Sequence, residues 1–227
     1  MTKCLFITAT GTDIGKTYIS ALIVKKMREL GFNCGYYKPV LSGAIKENGE
    51  LVPGDCKQVV DTAKLDCKPI DCLSYCFEEA VSPHLASERR GIMISKDKIM
   101  EDFNKAKQKY DYVLVEGAGG ITCPIDMNKK YLLNDLINDM NLDIAMVADG
   151  GLGTINSVLL TNDYAKAKGI KVQGIILNNY LKDDFMHQNN KDVIEDLTGI
   201  KVVATVAKGD TDINISKEDL ISMFKEV

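Results

Sequence analysis

The stretch ATGTDIGKTYIS, residues 9–20, follows the apolar run Leu5-Phe6-Ile7 and carries Gly15-Lys16-Thr17 at the start of a helical pattern. Residues 3–8 read as a strand. Ile19, Leu22, Ile23, Met27 and Leu30 recur at the spacing of one helix face, which stops near Gly31. A strand that turns through glycine into a helix exposes unpaired backbone N–H groups and the positive end of a helix dipole, and Lys16 adds a mobile ammonium. That combination holds phosphate. Thr17, one residue into the helix, is placed to give its hydroxyl to a magnesium ion. The spacing is that of a variant phosphate loop, because the position of its first glycine is held by Thr10, and Gly11 stands four residues before Gly15.

Outward from this unit, the runs 34–40, 112–116, 144–148, 172–177 and 201–204 are nearly continuous in apolar residues, as strands buried on both faces must be. Helical patterns separate them at 97–109, 131–140, 155–168 and 186–197, with a short one from 216. The alternation predicts an α/β fold: a doubly wound, mostly parallel sheet with helices on both faces, P-loop NTPase-like, in one domain over residues 1–227. Residues 42–95 are irregular, with Gly43, Gly49, Pro53, Gly54, Pro69 and Pro83 around short helical pieces, and such insertions often carry substrate contacts.

Open sheets of this kind bind ligands beyond the carboxyl ends of their strands. Three charged residues are expected there. Glu116 closes the apolar run 113–115 and begins Glu-Gly-Ala-Gly-Gly, and an acid on a buried strand is costly without a partner. Asp55 follows Pro53-Gly54. With Thr17, the two carboxylates make an adequate set for magnesium, which keeps several waters and takes one or two carboxylates plus substrate phosphates. Lys38, at the end of the second strand, is placed to neutralise charge that develops during phosphoryl transfer.

The 227 residues are 45% hydrophobic and 26% charged, with a formal net charge of −4 and no Lys/Arg block, so no basic field exists for nucleic acid. The amino-terminal apolar run is too short for a signal peptide or a membrane span, which predicts a cytoplasmic protein with no membrane partner. Seven cysteines scattered through a chain of this size read as reduced thiols. Cys67, Cys72 and Cys76 cluster, but their spacing lacks the paired knuckles of a zinc site. Cys123 reads as a packing residue.

Thr10–Gly11–Thr12–Asp13–Ile14–Gly15–Lys16–Thr17, Tyr37–Lys38–Pro39–Val40–Leu41–Ser42–Gly43, Ser82–Pro83–His84–Leu85–Ala86, Val115–Glu116–Gly117–Ala118–Gly119–Gly120 and Gly151–Leu152–Gly153–Thr154–Ile155–Asn156 together resemble dethiobiotin synthetase, in order and at that family's spacing. The resemblance covers residues 1 to about 180. It implies a cyclo-ligase that joins carbon dioxide to 7,8-diaminononanoate with ATP and magnesium, through a carbamate and a carbamic-phosphoric anhydride. It further implies catalytic roles for Lys16, Lys38, Thr12 and Ser42, and ATP contacts from Asp13, Ile14, Gly15, Lys16, Thr17, Asp55, Glu116, Gly117, Ala118, Gly119 and the adenine-reading Asn178. The magnesium set is Thr17, Asp55 and Glu116. Ser42, Gly153, Thr154 and Asn156 are implied substrate contacts, the last three at a helix start given to the partner of a homodimer. His84 has no chemical task in that family and reads as structural. The chain departs from the pattern at Ala9, where most members have glycine, at Asp13, where many have glutamate, and at Ala204–Lys208, where Gly-x-Ile-Pro is usual.

Two other classes compete. A partition or division-site switch ATPase would share the sheet and the phosphate loop, but usually carries a second lysine near the loop's start, where Gly11 sits. An amide ligase acting on corrinoid side chains would need a glutamine-hydrolysing domain for which the chain is too short.

Overall fold

The computed structural model describes residues 1–227. In chain order its elements are β1 (Lys3–Ala9), α1 (Lys16–Glu29), β2 (Cys34–Ser42), the hairpin β3 (Ile45–Glu47) and β4 (Glu50–Val52), α2 (Gly54–Ala63), a 3₁₀ turn (Pro69–Cys72), β5 (Leu73–Phe77), α3 (Pro83–Arg90) and α4 (Lys96–Lys109). The second half comprises β6 (Tyr112–Gly120), the hairpin β7 (Pro124–Asp126) and β8 (Tyr131–Leu132), α5 (Leu133–Asp139), β9 (Ile144–Asp149), α6 (Thr154–Ala167), β10 (Val172–Asn178), α7 (Phe185–Thr198), β11 (Val202–Thr205), α8 (Lys217–Ser222) and β12 (Lys225–Glu226).

The central sheet runs β11-β10-β9-β1-β6-β2-β5, all parallel, with β12 antiparallel along the start of β1. From β1 the chain builds one side of the sheet first and then crosses to the other at β9, so β1 sits at the switch point where a crevice opens above its carboxyl end. Alternation along β1 divides the core. Phe6 faces α4 and α5 with Ile99, Phe103, Leu133 and Leu136, whereas Leu5 and Ile7 face α1 and α2 with Ile19, Ile23 and Val59. Both layers are fully covered, which is why the strands read as unbroken apolar runs.

Several expected boundaries are corrected. The strand expected at 112–116 continues to Gly120, so Glu116 lies within it rather than closing it, and it is wholly buried. The strand expected at 34–40 continues to Ser42, and Lys38 stands mid-strand at 3% exposure, held there by carboxylates described below. The helix expected over 131–140 begins at Leu133. Tyr131 and Leu132 pair with β7, and the Asp135 carboxylate accepts the Leu132 N–H at 2.8 Å, which fixes the helix start. The irregular region contains α2, the edge strand β5 and α3, and Asp55 lies in the first turn of α2 without capping it.

Candidate active site

The phosphate loop leaves β1 and enters α1 through Gly15, whose φ of 95° lies in the left-handed region. Asp13 also adopts a positive φ, 59°, which its short polar side chain tolerates. Asn178, at the end of β10, donates its amide N–H to the Ile14 carbonyl at 2.8 Å and fastens the loop to the far half of the sheet. A Cβ on Gly15 would stand 2.2 Å from the Asn178 amide nitrogen. Gly15→Ala is therefore expected to strain the backbone by about 1–2 kcal/mol and to expel Asn178, lowering Tm and abolishing measurable ATP binding by calorimetry. Unchanged ATP affinity would mean that the loop is not a phosphate cradle.

Glu116 organises the rest. One of its oxygens accepts from the Thr17 hydroxyl at 2.7 Å and the Lys38 ammonium at 2.6 Å, and the other accepts from the Tyr36 hydroxyl at 2.9 Å. Tyr36 and Lys38 are two residues apart on β2 and so project from the same face. The Lys38 ammonium also meets the Asp55 carboxylate at 2.6 Å. Burial alone would push the Lys38 pKa down, but Glu116 and Asp55 overcome it and hold the group above the ordinary lysine value. The Tyr36 hydroxyl is driven well upward, first by burial and then by the Glu116 charge, so it remains a donor. Lys16 is 7% exposed and curls back so that its ammonium reaches the Gly11 carbonyl at 3.3 Å. Burial, with Lys38 nearby, lowers its pKa.

These groups open into one cavity of about 430 Å³ at the carboxyl ends of β1, β2 and β6. Thr12, Asp13, Gly15, Lys16 and Thr17 of the loop line one side. Lys38, Ser42 and Asp55 line another, and Glu116, Ala118 and Gly119 close it. Tyr18, Val40 and Gln58 also line it and were not expected. Gln58 was legible as the neighbour of Asp55 one helical turn on, and Tyr36 as the same-face neighbour of Lys38.

Other expected residues stand back from the cavity. Ile14 contributes the carbonyl that anchors Asn178, and that side chain's own carbonyl oxygen is buried without a partner. Gly117 faces the apolar layer, where a Cβ would come within 2.7 Å of Leu133 and 2.9 Å of Phe6. Gly153, Thr154 and Asn156 sit at the start of α6, outside the lining. The Thr154 hydroxyl there is buried and unpaired. The segment after β11 is tied to α1 by the Tyr18 hydroxyl, which donates to the Asp210 carbonyl. Burial pushes the Cys123 thiol up, in keeping with packing.

A family model described as an AAA domain matches residues 3–211. The ATP-dependent dethiobiotin synthetase BioD of Clostridium botulinum strain 657 is 50% identical over 228 residues, covering all of both chains. The enzyme of the same name from Clostridium perfringens strain 13 is 48% identical over 221 residues, covering 97% of this chain and 96% of its own. Among solved structures, a ParA family ATPase from Chlorobium tepidum aligns with a TM-score of 0.57 at 16% identity, covering 98% of this chain and 90% of that one. FtsY from Elizabethkingia anophelis aligns at 0.54 with 12% identity, over all of this chain and 65% of that one. Those two likenesses establish the P-loop fold and nothing finer. No helix is long and apolar enough to cross a membrane. Full-length identity near one half, over a fold whose phosphate loop and buried ion network converge on one cavity, places this chain in the ATP-dependent dethiobiotin synthetase family.

Proposed function

We propose that this chain, as one ligase domain over residues 1–227 acting in the cytoplasm, makes dethiobiotin from 7,8-diaminononanoate, carbon dioxide and ATP. The observation that carries the reading is the Thr17–Glu116–Lys38–Asp55 network beside the start of α1. With Lys16 lining the same cavity, it brings two cations, two carboxylates and a helix dipole together without any nucleophile paired to a base, which suits positioning and charge stabilisation and not covalent catalysis.

One amine adds to carbon dioxide and releases a proton, giving a carbamate. A carbamate oxygen attacks the γ-phosphorus as the bond to ADP breaks. The second amine then attacks the carbonyl carbon of the mixed anhydride, and phosphate leaves as the cyclic urea closes. Lys16 and Lys38 flank the carbamate and the transferring phosphoryl group, while Thr12 and Ser42 hydrogen-bond the carbamate and ureido oxygens. The oxygen set fits a hard divalent cation, since two carboxylates already share the Lys38 ammonium and the Thr17 hydroxyl stands against one of them. Thr17, Asp55 and Glu116 would hold magnesium, which when bound neutralises charge on the phosphate oxygens.

The Asn178 amide nitrogen is committed to the loop, and its unpaired carbonyl oxygen suits the exocyclic amine of adenine. Asn178→Ala is expected to raise KM for ATP about tenfold, ~1.4 kcal/mol, with kcat within a factor of three. Equal losses in both parameters would assign Asn178 to the loop's geometry alone. The unpaired N–H groups at the start of α6 suit the substrate's carboxylate, and their place outside this chain's cavity lining suits a homodimer in which they serve the partner subunit.

The assay mixes the protein with 7,8-diaminononanoate, bicarbonate and magnesium ATP, following phosphate release and identifying the organic product by mass. Cyclic urea formed in step with phosphate is the expected result. Phosphate release indifferent to the diamine would assign the site to a partition-type switch ATPase.

A further inference from the structure

β2 is nine residues long, but β5 covers only its second half, pairing Lys38 with Leu73 and Ser42 with Phe77. Residues 34–37 are left open along that edge, at the end of the sheet opposite the phosphate loop. The chain entering β5 crosses this gap as the turn Pro69–Cys72, facing the last turn of α4, and a cavity of about 350 Å³ remains between them. Tyr36 and Tyr37 form its floor, Lys105 and Lys109 its outer wall, and Cys67 and Cys72 meet on its third side with their sulfurs 3.5 Å apart. Nothing in the ATP reaction uses this cavity.

The two thiols are held in contact by the turn itself. Lys64 closes α2 in the left-handed conformation, the Lys68 N–H donates to the Asp71 carboxylate at 3.3 Å, and the Asp71 N–H donates to the Lys68 carbonyl at 2.9 Å. Cys67 is partly exposed to the cavity, whereas Cys72 is 5% exposed behind it. We propose that Cys67 and Cys72 are a thiol–disulfide exchange site for low-molecular-weight disulfides, with Cys67 the attacking sulfur and Cys72 the resolving one.

The chemistry of the seven thiols separates this pair from the rest. The contact with the Cys72 sulfur, with Lys109 and the Tyr110 hydroxyl beside it, draws the Cys67 pKa down to about 6. The same contact, together with burial, pushes Cys72 up. Burial raises Cys4, Cys34, Cys56, Cys76 and Cys123, so Cys67, partly exposed to the cavity and in contact with a second thiol, is the one cysteine shifted toward the thiolate. The Cys67 thiolate attacks one sulfur of the small disulfide, whose S–S bond breaks; the leaving thiolate takes a proton from water. Cys72 then loses its proton as its sulfur attacks that of Cys67, and the second small thiolate leaves with that proton. One small disulfide is reduced to two thiols, and the protein pair is oxidised by two electrons. The sulfurs must close from 3.5 Å to bonding distance, about 2.05 Å.

The test uses the full chain, reduced and then incubated with oxidised glutathione in large excess over reduced, quenched with iodoacetamide and mapped by fragmentation mass spectrometry. Loss of two hydrogens confined to Cys67 and Cys72 is expected, with the other five cysteines alkylated under denaturing quench. In the native reduced protein, Cys67 is expected to alkylate at least about tenfold faster than any other cysteine. Cys72→Ser is expected to accumulate glutathione on Cys67 as a lasting mixed disulfide. Alkylation of both Cys67 and Cys72 after incubation, a bond to Cys76 or Cys56 instead, or glutathione spread over all the thiols would overturn the proposal. The first two readings need only the natural sequence, so a poorly folding variant does not obscure them.

Discussion

Lys16→Ala is expected to lower kcat for dethiobiotin formation on the order of 10²–10³-fold, ~2.7–4 kcal/mol, with little change in Tm. The Lys16 side chain is held only loosely by the rest of the protein. Its ammonium makes one long hydrogen bond, to the Gly11 carbonyl at 3.3 Å, and burial already lowers its pKa, so the fold gains little from it. A phosphate supplies the anion that the folded chain lacks at that point, and the gain grows as charge accumulates on the transferring group. Steady-state kinetics with thermal unfolding in parallel separates the two effects. A loss of rate within a factor of three would show that the backbone N–H groups of the loop suffice, and the role given to Lys16 would be withdrawn.

Lys38→Met is expected to do the opposite in stability as well as abolish turnover. Glu116 is fully buried in the middle of β6, and Lys38 is its only charged partner within hydrogen-bonding distance. Removing one member of a buried pair strands the other, at a cost of about 3–5 kcal/mol, which for a chain of this size lowers Tm by about 10 °C. The Thr17 and Tyr36 hydroxyls remain but carry no charge. The double variant Lys38→Met/Glu116→Gln removes the stranded charge and is expected to regain most of the lost stability while staying inactive, because two adjacent sites in one network are not additive. If the single variant unfolds at the same temperature as the natural protein, the network is not what holds Glu116 in the sheet.

The contrast between these two lysines explains why one was easier to read than the other. Lys16 lies in a local pattern: strand, glycine turn, lysine, helix. Every part of that pattern is set by neighbours within about one turn, so twelve consecutive residues contain the information. Lys38 lies in a strand whose burial depends on Glu116, 78 residues away, and on Asp55, 17 residues away in the chain. Sequence alone left it as a strand-ending lysine at the sheet edge, yet the structure buries it. Likewise, the apolar runs announced both faces of the sheet, but β12 and the extension of β6 to Gly120 follow from pairings with distant strands that leave no periodic trace.

The sequence by itself determined the alternation of strands and helices, the phosphate loop, and the charged residues that gather around it, since each depends on local geometry and on the cost of burying apolar or charged groups. Only the tertiary structure decided that Tyr36 completes the Glu116 network, that Asn178 locks the loop from across the sheet, and that two cysteines meet at the uncovered edge of β2. Those are contacts between segments far apart in the chain, and they are fixed by sheet order and register, which no single segment encodes.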